Sequence, residues 1–184
     1  MSITSRFCRL LRKRSEEHLS AGKVLIESEL FGQVVSVLRQ EVDSMVRAIF
    51  LLNQDLNDRQ HYMDQTLHDT KCTMPNSKSI ITDRQMVELS NHLHGWTKSV
   101  YKFGCAFIHL SSMSDYKNEN PFSKLSEKEE ADIKQHLFDY HSFPLSNKLN
   151  IDTVSPYLFR ILKKIHDNLE TYIKSLEKER FGAD

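Results

Sequence analysis

A long proline-free segment near the start of the chain constrains the possible folds more than any other feature of the sequence. No proline occurs from about residue 4 to residue 53, and apolar residues recur there at helical spacing, interrupted only near Gly22 and Gly32. The apolar residues of its second half fall into two adjacent stripes: Val34, Leu38, Met45, Ile49 and Leu52, and beside them Val35, Val42, Val46 and Phe50. This apolar face is broader than that of a surface helix, so we predict two helices, or one long kinked helix, with the second half at the centre of the fold.

A capping pattern starts the next long helix. Residues 55–69 continue in a more polar helical pattern and end in a loop around Pro75. Thr82 stands three residues before Gln85, which is the spacing of a capping box. We predict a helix from there to about residue 113, with Gly95 as the point where it could break.

The same capping pattern opens the following helix. Ser126 and Glu129 have capping-box spacing and predict a helix to about residue 140. After a loop, Ser155 as N-cap and Pro156 at the first helical position predict the start of the final helix. The apolar residues of that helix recur at spacings of three, one and four: Tyr157, Leu158, Ile161, Leu162, Ile165, Leu169, Tyr172, Ile173 and Leu176.

Glycine and proline are scarce along the whole chain, which favours helices over a turn-rich β fold. The 184 residues include five glycines and four prolines, and no alternating strand pattern is present. We predict one all-α domain over residues 1–184, an irregular bundle of about five or six helices. Residues 1–20 form its basic N-terminal helix or extension, although the acid-free stretch SITSRFCRLLRKR also fits a transit peptide.

Charge and cysteine content exclude several classes of protein. Lysine and arginine total 25 residues, as do aspartate and glutamate, so no global charge attracts nucleic acid or a membrane. Cys8, Cys72 and Cys105 lack CxxC spacing, which argues against a disulfide framework and favours a reducing, cytoplasmic location. No apolar run reaches the ~18 residues that a spanning helix needs, so we expect no membrane partner.

The segment KFGCAFIH places a cation and an imidazole in apolar surroundings. Lys102 and His109 are seven residues apart, nearly two helical turns, and so share one helix face. The opposite face is apolar, and the shared face is flanked by Tyr101 and Ile108. We therefore expect contacts on both sides of this helix, with the polar side in a cleft or a subunit interface. The alternative is that His109 is a structural histidine.

These residues resemble the HEPN superfamily, whose mark is Arg-x(4–6)-His late in a long helix of a compact bundle. The match is Lys102-x6-His109 within YKFGCAFIHLSSMSDY, followed by FDYHSFP and KKIHDNLETYI, and it covers roughly residues 30–178. Lysine stands where the family has arginine, and Phe103 follows it. The resemblance implies a metal-independent ribonuclease of a toxin–antitoxin or phage-defence system, with two motif histidines paired across a homodimer.

The resemblance also implies roles for individual residues. His109 would be general acid or base and Lys102 the electrostatic stabiliser, with Ser112, Tyr116 and His141 as accessory polar groups. Neither a metal nor a cofactor is implied, and the partners would be RNA or a nucleotide, a second copy of the chain and an antitoxin protein. Two alternatives stay open: a catalytically lapsed RNA- or nucleotide-binding module, and a non-enzymatic helical interaction protein.

The remaining histidines give weaker signals. His61, Asp64 and His68 share one predicted helical face and could bind a metal, but a solvated face is the favoured explanation by several-fold, and we expect no metal site. His136 and His141 lie at the end of the fifth predicted helix, where the helix dipole favours cationic side chains.

Overall fold

A computed structural model describes residues 1–75, 77, 79–108 and 112–178. In this part of the chain seven α-helices form: α1 (Ile3–Glu27), α2 (Phe31–Leu52), α3 (Leu56–Leu67), α4 (Asp83–His94), α5 (Thr97–Ile108), α6 (Glu127–His141) and α7 (Ile151–Lys178). Two short 3-10 helices, Ser112–Asp115 and Pro121–Lys124, lie between α5 and α6. The predicted all-α class and irregular helical bundle are confirmed.

Both predicted capping boxes are present, and the predicted break is also real. Thr82 caps α4 through a reciprocal pair of hydrogen bonds with Gln85, and Ser126 caps α6 in the same way with Glu129. Gly95 adopts a left-handed conformation, with φ of 69°, and ends α4. The single helix predicted to reach residue 113 is therefore two helices, which raises the count above six.

The predicted start of the last helix is wrong. Ser155 and Pro156 lie inside α7, which begins earlier in the chain. Asn150 Oδ1 accepts a hydrogen bond from the Thr153 amide at 2.8 Å, and Thr153 Oγ1 accepts one from the Asn150 amide at 3.1 Å. Proline has no N–H for the Asp152 carbonyl, and the Ser155 hydroxyl donates to that carbonyl instead, at 3.3 Å. The Asn150–Thr153 cap replaces the predicted one.

Helix α2 is the centre of the fold, as its two apolar stripes predict. It contacts α1, α3, α4, α5 and α7. Every residue of the two stripes is buried except Leu52. The basic α1 packs against α2 and α7 and buries Phe7, Cys8 and Leu11. Within the described residues, no helix is both long enough and apolar enough to cross a membrane.

Helix α6 is attached to the bundle more sparsely than the other long helices. Only Leu137 and His141 of α6 are buried, whereas Phe138 and Tyr140 are about half exposed, at 48% and 53%. The helix lies beside α5 and α7 and does not pack closely against α2. A cleft is therefore left between α6 and the rest of the bundle.

Candidate functional site

The predicted motif is only partly described. His109 and its two following residues lie outside the described part of the chain. The Lys102 side chain on α5 is 70% exposed, and its Nζ lies 2.5 Å from Glu129 Oε1 on α6. The hydrogen bond from Lys102, with two more from Ser126, lowers the pKa of Glu129 to about 2. The Lys102 charge is thus already balanced by a carboxylate, which would repel a phosphate.

Of the predicted accessory groups, Tyr116 and His141 have side-chain neighbours other than Lys102. The ring of Tyr116 packs on Phe107, with 6.1 Å between centroids. The backbone of Ser112 opens a 3-10 helix, and its side chain is outside the described part. His141 is the last residue of α6, whereas Lys102 contacts Glu129 near the first, and about 18 Å of helix separates those two positions at ~1.5 Å per residue. His141 belongs to a different site.

The second contacted side of α5 meets α2 of the same chain. The guanidinium carbon of Arg39 lies 3.3 Å from the Tyr101 ring centroid, and Arg39 Nε donates to Cys105 Sγ at 3.4 Å. Gly104 allows this close approach, since an added Cβ would lie 2.5 Å from Arg39 Cβ. The apolar side chains that suggested a subunit interface therefore mostly contact α2 of the same chain. Of the two flanking residues, Tyr101 and Ile108, only Ile108 is exposed, at 46%.

A cleft with a volume of about 400 Å³ lies between α5, α6 and α7. Val35 and Leu38 of α2 line its base. Its walls are mainly apolar, and include Trp96, Val100, Phe103, Phe122, Leu158 and Ile161. Ligand sites in proteins are typically concave, mostly apolar and of ~300–1,000 Å³, so this cleft has the size and lining of one.

The polar groups of this cleft are concentrated on α6 and α7. The ring of His136 lies 5.3 Å from that of Trp96 and 4.6 Å from that of Tyr140, between centroids. Lys164 Nζ lies 3.5 Å from the Tyr140 ring centroid, and His141 is 6.4 Å from His136. A lysine and two imidazoles thus lie close together in a cleft whose walls are mainly apolar.

Burial controls the charge of these groups. It is the main cause that lowers the pKa of His136 to about 4, with the neighbouring His141 and Lys164 adding to the effect. Burial and then the Lys164 and Arg160 charges lower the pKa of His141. Both shifts favour the neutral imidazole at pH 7, so burial opposes the cationic form that a helix end would favour.

A second polar cluster, which sequence reasoning missed, is buried between α1, α2 and α7. The Ser15 hydroxyl donates to Glu41 Oε1, and His18 Nδ1 lies 2.7 Å from Glu41 Oε2. His166 Nδ1 lies 2.7 Å from Ser15 Oγ.

Arg12 on α1 forms ion pairs beside this cluster. It donates two hydrogen bonds to Glu170 and two more to Glu177, both on α7. All these groups are internally paired, so the cluster ties three helices together.

The predicted metal alternative has no support in the described residues, where no group of three or more histidine, cysteine, aspartate or glutamate side chains is placed to hold a metal ion. His61 Nε2 instead lies 3.1 Å from the Thr73 carbonyl oxygen. His68 Nδ1 lies 2.9 Å from the Asp64 carbonyl oxygen one turn before it.

Comparison of the chain with protein-family models, with curated proteins and with solved structures finds no match. The HEPN resemblance thus depends on the motif residues alone. The function has to be inferred from the chemistry of the cleft.

Proposed function

We propose that this protein is a non-catalytic binding module whose cleft between α5, α6 and α7 takes a small, largely apolar molecule. The observation that carries the proposal is the cleft itself, about 400 Å³ in volume and lined mainly by apolar side chains. Such a cleft removes apolar ligand surface from water, which is worth about 25 cal/mol per Å² before the costs of binding. The proposal is closest to the catalytically lapsed module among the alternatives.

The chemistry of the cleft argues against turnover there. Two imidazoles and a lysine could in principle cleave RNA, with one imidazole as base and a protonated one as acid. Burial lowers the pKa of His136 to about 4 and also lowers that of His141, which disfavours the imidazolium needed to protonate a leaving group at neutral pH. An apolar wall also offers few partners for the hydroxyls and phosphates of RNA.

Filling the cleft should weaken ligand binding. We expect the protein to bind the neutral fluorescent probe N-phenyl-1-naphthylamine at one saturable site, with increased fluorescence. Val100→Trp places an indole in the cleft and should weaken this binding at least tenfold, as should Ile161→Trp on the facing helix. Fluorescence titration gives the affinities, and thermal unfolding verifies that each variant is folded.

The matched control is Ile108→Trp, which adds the same side chain to α5 at an exposed position outside the cleft. Its affinity for the probe should stay within twofold of the parent. Failure of the parent to bind the probe, or equal loss in all three variants, would contradict the binding-module proposal.

The ribonuclease remains a second candidate, favoured by the 70% exposure of the Lys102 side chain, which a substrate phosphate could reach by displacing Glu129. This candidate also predicts a homodimer, an RNA substrate, an antitoxin partner and a cytoplasmic location. In this candidate His109→Gln should lower RNA cleavage in chelator by ~10²–10⁴ without changing thermal stability, because it removes proton transfer and keeps hydrogen bonding.

His92→Gln is the control for that experiment, since His92 is an exposed histidine on α4. It should cleave RNA as the parent does. Under the binding-module proposal the parent itself cleaves no RNA, and cleavage that His109→Gln abolishes would overturn that proposal in favour of the ribonuclease.

A further inference from the structure

Lys164 places an unbalanced positive charge in the cleft. Its Nζ lies over the Tyr140 ring, and no carboxylate of the described residues is within 4.0 Å of it. The adjacent lysine on α7, Lys163, is instead paired with Asp167 at 2.7 Å. Cation–π contact compensates a partly buried cation only in part. The cleft therefore has a charge that its own side chains leave largely uncompensated.

The two imidazoles beside Lys164 can offer their ring nitrogens to a ligand. Neither His136 nor His141 forms a side-chain hydrogen bond with any residue in the described ranges, and no ring nitrogen of either is a fully buried atom without a partner. A neutral imidazole carries one N–H donor, so these rings can supply two donors next to the Lys164 cation.

We propose that the ligand of this cleft is a compact apolar monoanion, an apolar carboxylate, whose charged group binds Lys164 and accepts hydrogen bonds from His136 and His141. This inference depends on the binding-module proposal and names its ligand class. The apolar body of the ligand lies against the walls formed by α5 and α7, near Val100 and Ile161.

The charges around the cleft favour one negative charge over several. Arg160 on α7 adds a second, exposed cation near His141, but Asp132 and Asp139 line the rim of the cleft on α6. These carboxylates would repel the additional charges of a nucleotide phosphate chain. A nucleotide would also leave its sugar hydroxyls without partners against apolar walls.

Binding of such an anion should take up protons. The bound charge would raise the pKa of His136 from about 4 and that of His141 from its lowered position, because an anion stabilises a nearby imidazolium. A ligand that raises a pKa binds more tightly as pH falls. Affinity for octane-1-sulfonate, which stays ionised throughout, should therefore rise from pH 7 to pH 5.

The test compares three probes of equal chain length by displacement of N-phenyl-1-naphthylamine: octanoate, octan-1-ol and octylammonium. Octanoate should bind at least tenfold more tightly than octan-1-ol at pH 7, and octylammonium more weakly than either. Lys164→Met keeps the length of the side chain and should remove the preference for octanoate, with octan-1-ol affinity unchanged within twofold. Lys164→Gln serves the same purpose if thermal unfolding shows that the methionine variant is misfolded.

Lys163→Met is the matched control, because Lys163 is the neighbouring, 57% exposed lysine on the same helix. It should keep the full preference for octanoate. If the dye binds but octanol competes as well as octanoate, or Lys163→Met removes the preference as Lys164→Met does, the anion proposal is overturned while the binding module stands. If the dye does not bind, the binding module itself fails.

Discussion

Glu41→Ala should lower the free energy of unfolding by about 2–6 kcal/mol, because it leaves two buried hydrogen-bonding groups unpaired at ~1–3 kcal/mol each. Glu41 is fully buried on the central helix, where its carboxylate accepts a hydrogen bond from Ser15 and pairs with His18 Nδ1 at 2.7 Å. Alanine removes both acceptor oxygens and leaves a hydroxyl and an imidazole buried without them. Urea denaturation monitored by circular dichroism measures the loss.

Two other variants separate pairing from general damage. Glu17→Ala removes a carboxylate that is 70% exposed on α1, and it should change stability by less than about 0.5 kcal/mol. Glu41→Gln keeps the shape and one acceptor, so its loss should fall between the two alanine variants. A loss below about 1 kcal/mol for Glu41→Ala would show that Ser15 and His18 readily find other partners.

The cluster around Glu41 could be predicted from the sequence only in part. Glu41 follows Leu38 by three positions and precedes Met45 by four, so it stands on the apolar stripe of α2. A lone carboxylate on such a stripe signals a buried partner. The identity of that partner could not be predicted, because His18 is 23 residues away and His166 reaches the cluster from α7.

Local patterns predicted the helices well because each depends on nearby residues. The two stripes of α2 and the capping boxes at Thr82 and Ser126 are of this kind. The start of α7 was wrong because a Ser-Pro pair is only one of two local caps that the sequence offers there. Ile151 and Val154 continue the apolar spacing of α7 upstream, and that was the signal for the earlier start.

The candidate site was harder to predict because it forms between helices that are distant in sequence. The cleft depends on how far α6 stands from α2, and helical periodicity carries no information on that distance. His141 was identified as a polar contributor, but Lys164 and Trp96, which line the same cleft, come from α7 and from the residue before α5. Lys102 was identified from its spacing to His109, whereas its partner Glu129 was seen only as a helix cap.

Gly104→Ala should lower the free energy of unfolding by about 1–3 kcal/mol, the cost of overpacking a tight contact. A Cβ at this position on α5 would lie 2.5 Å from Arg39 Cβ and 3.1 Å from its Cγ. Arg39 Cβ is fixed to the α2 backbone, so rotation of the side chain cannot relieve the clash and the helices must separate. This cost exceeds the gain of up to ~1 kcal/mol that alanine normally brings to a helix.

The matched control for Gly104→Ala is Gly32→Ala, where the added Cβ would lie 2.8 Å from Cε1 of Tyr116. That atom is at the far end of a side chain that can rotate, so the loss should be smaller than at Gly104. Because α5 also supplies Val100 and Phe103 to the cleft, a shift of α5 in Gly104→Ala should weaken binding of N-phenyl-1-naphthylamine as well. If Gly104→Ala is instead more stable than the parent, α5 can move away from α2 without cost, and the close contact with Arg39 does not fix the wall of the cleft.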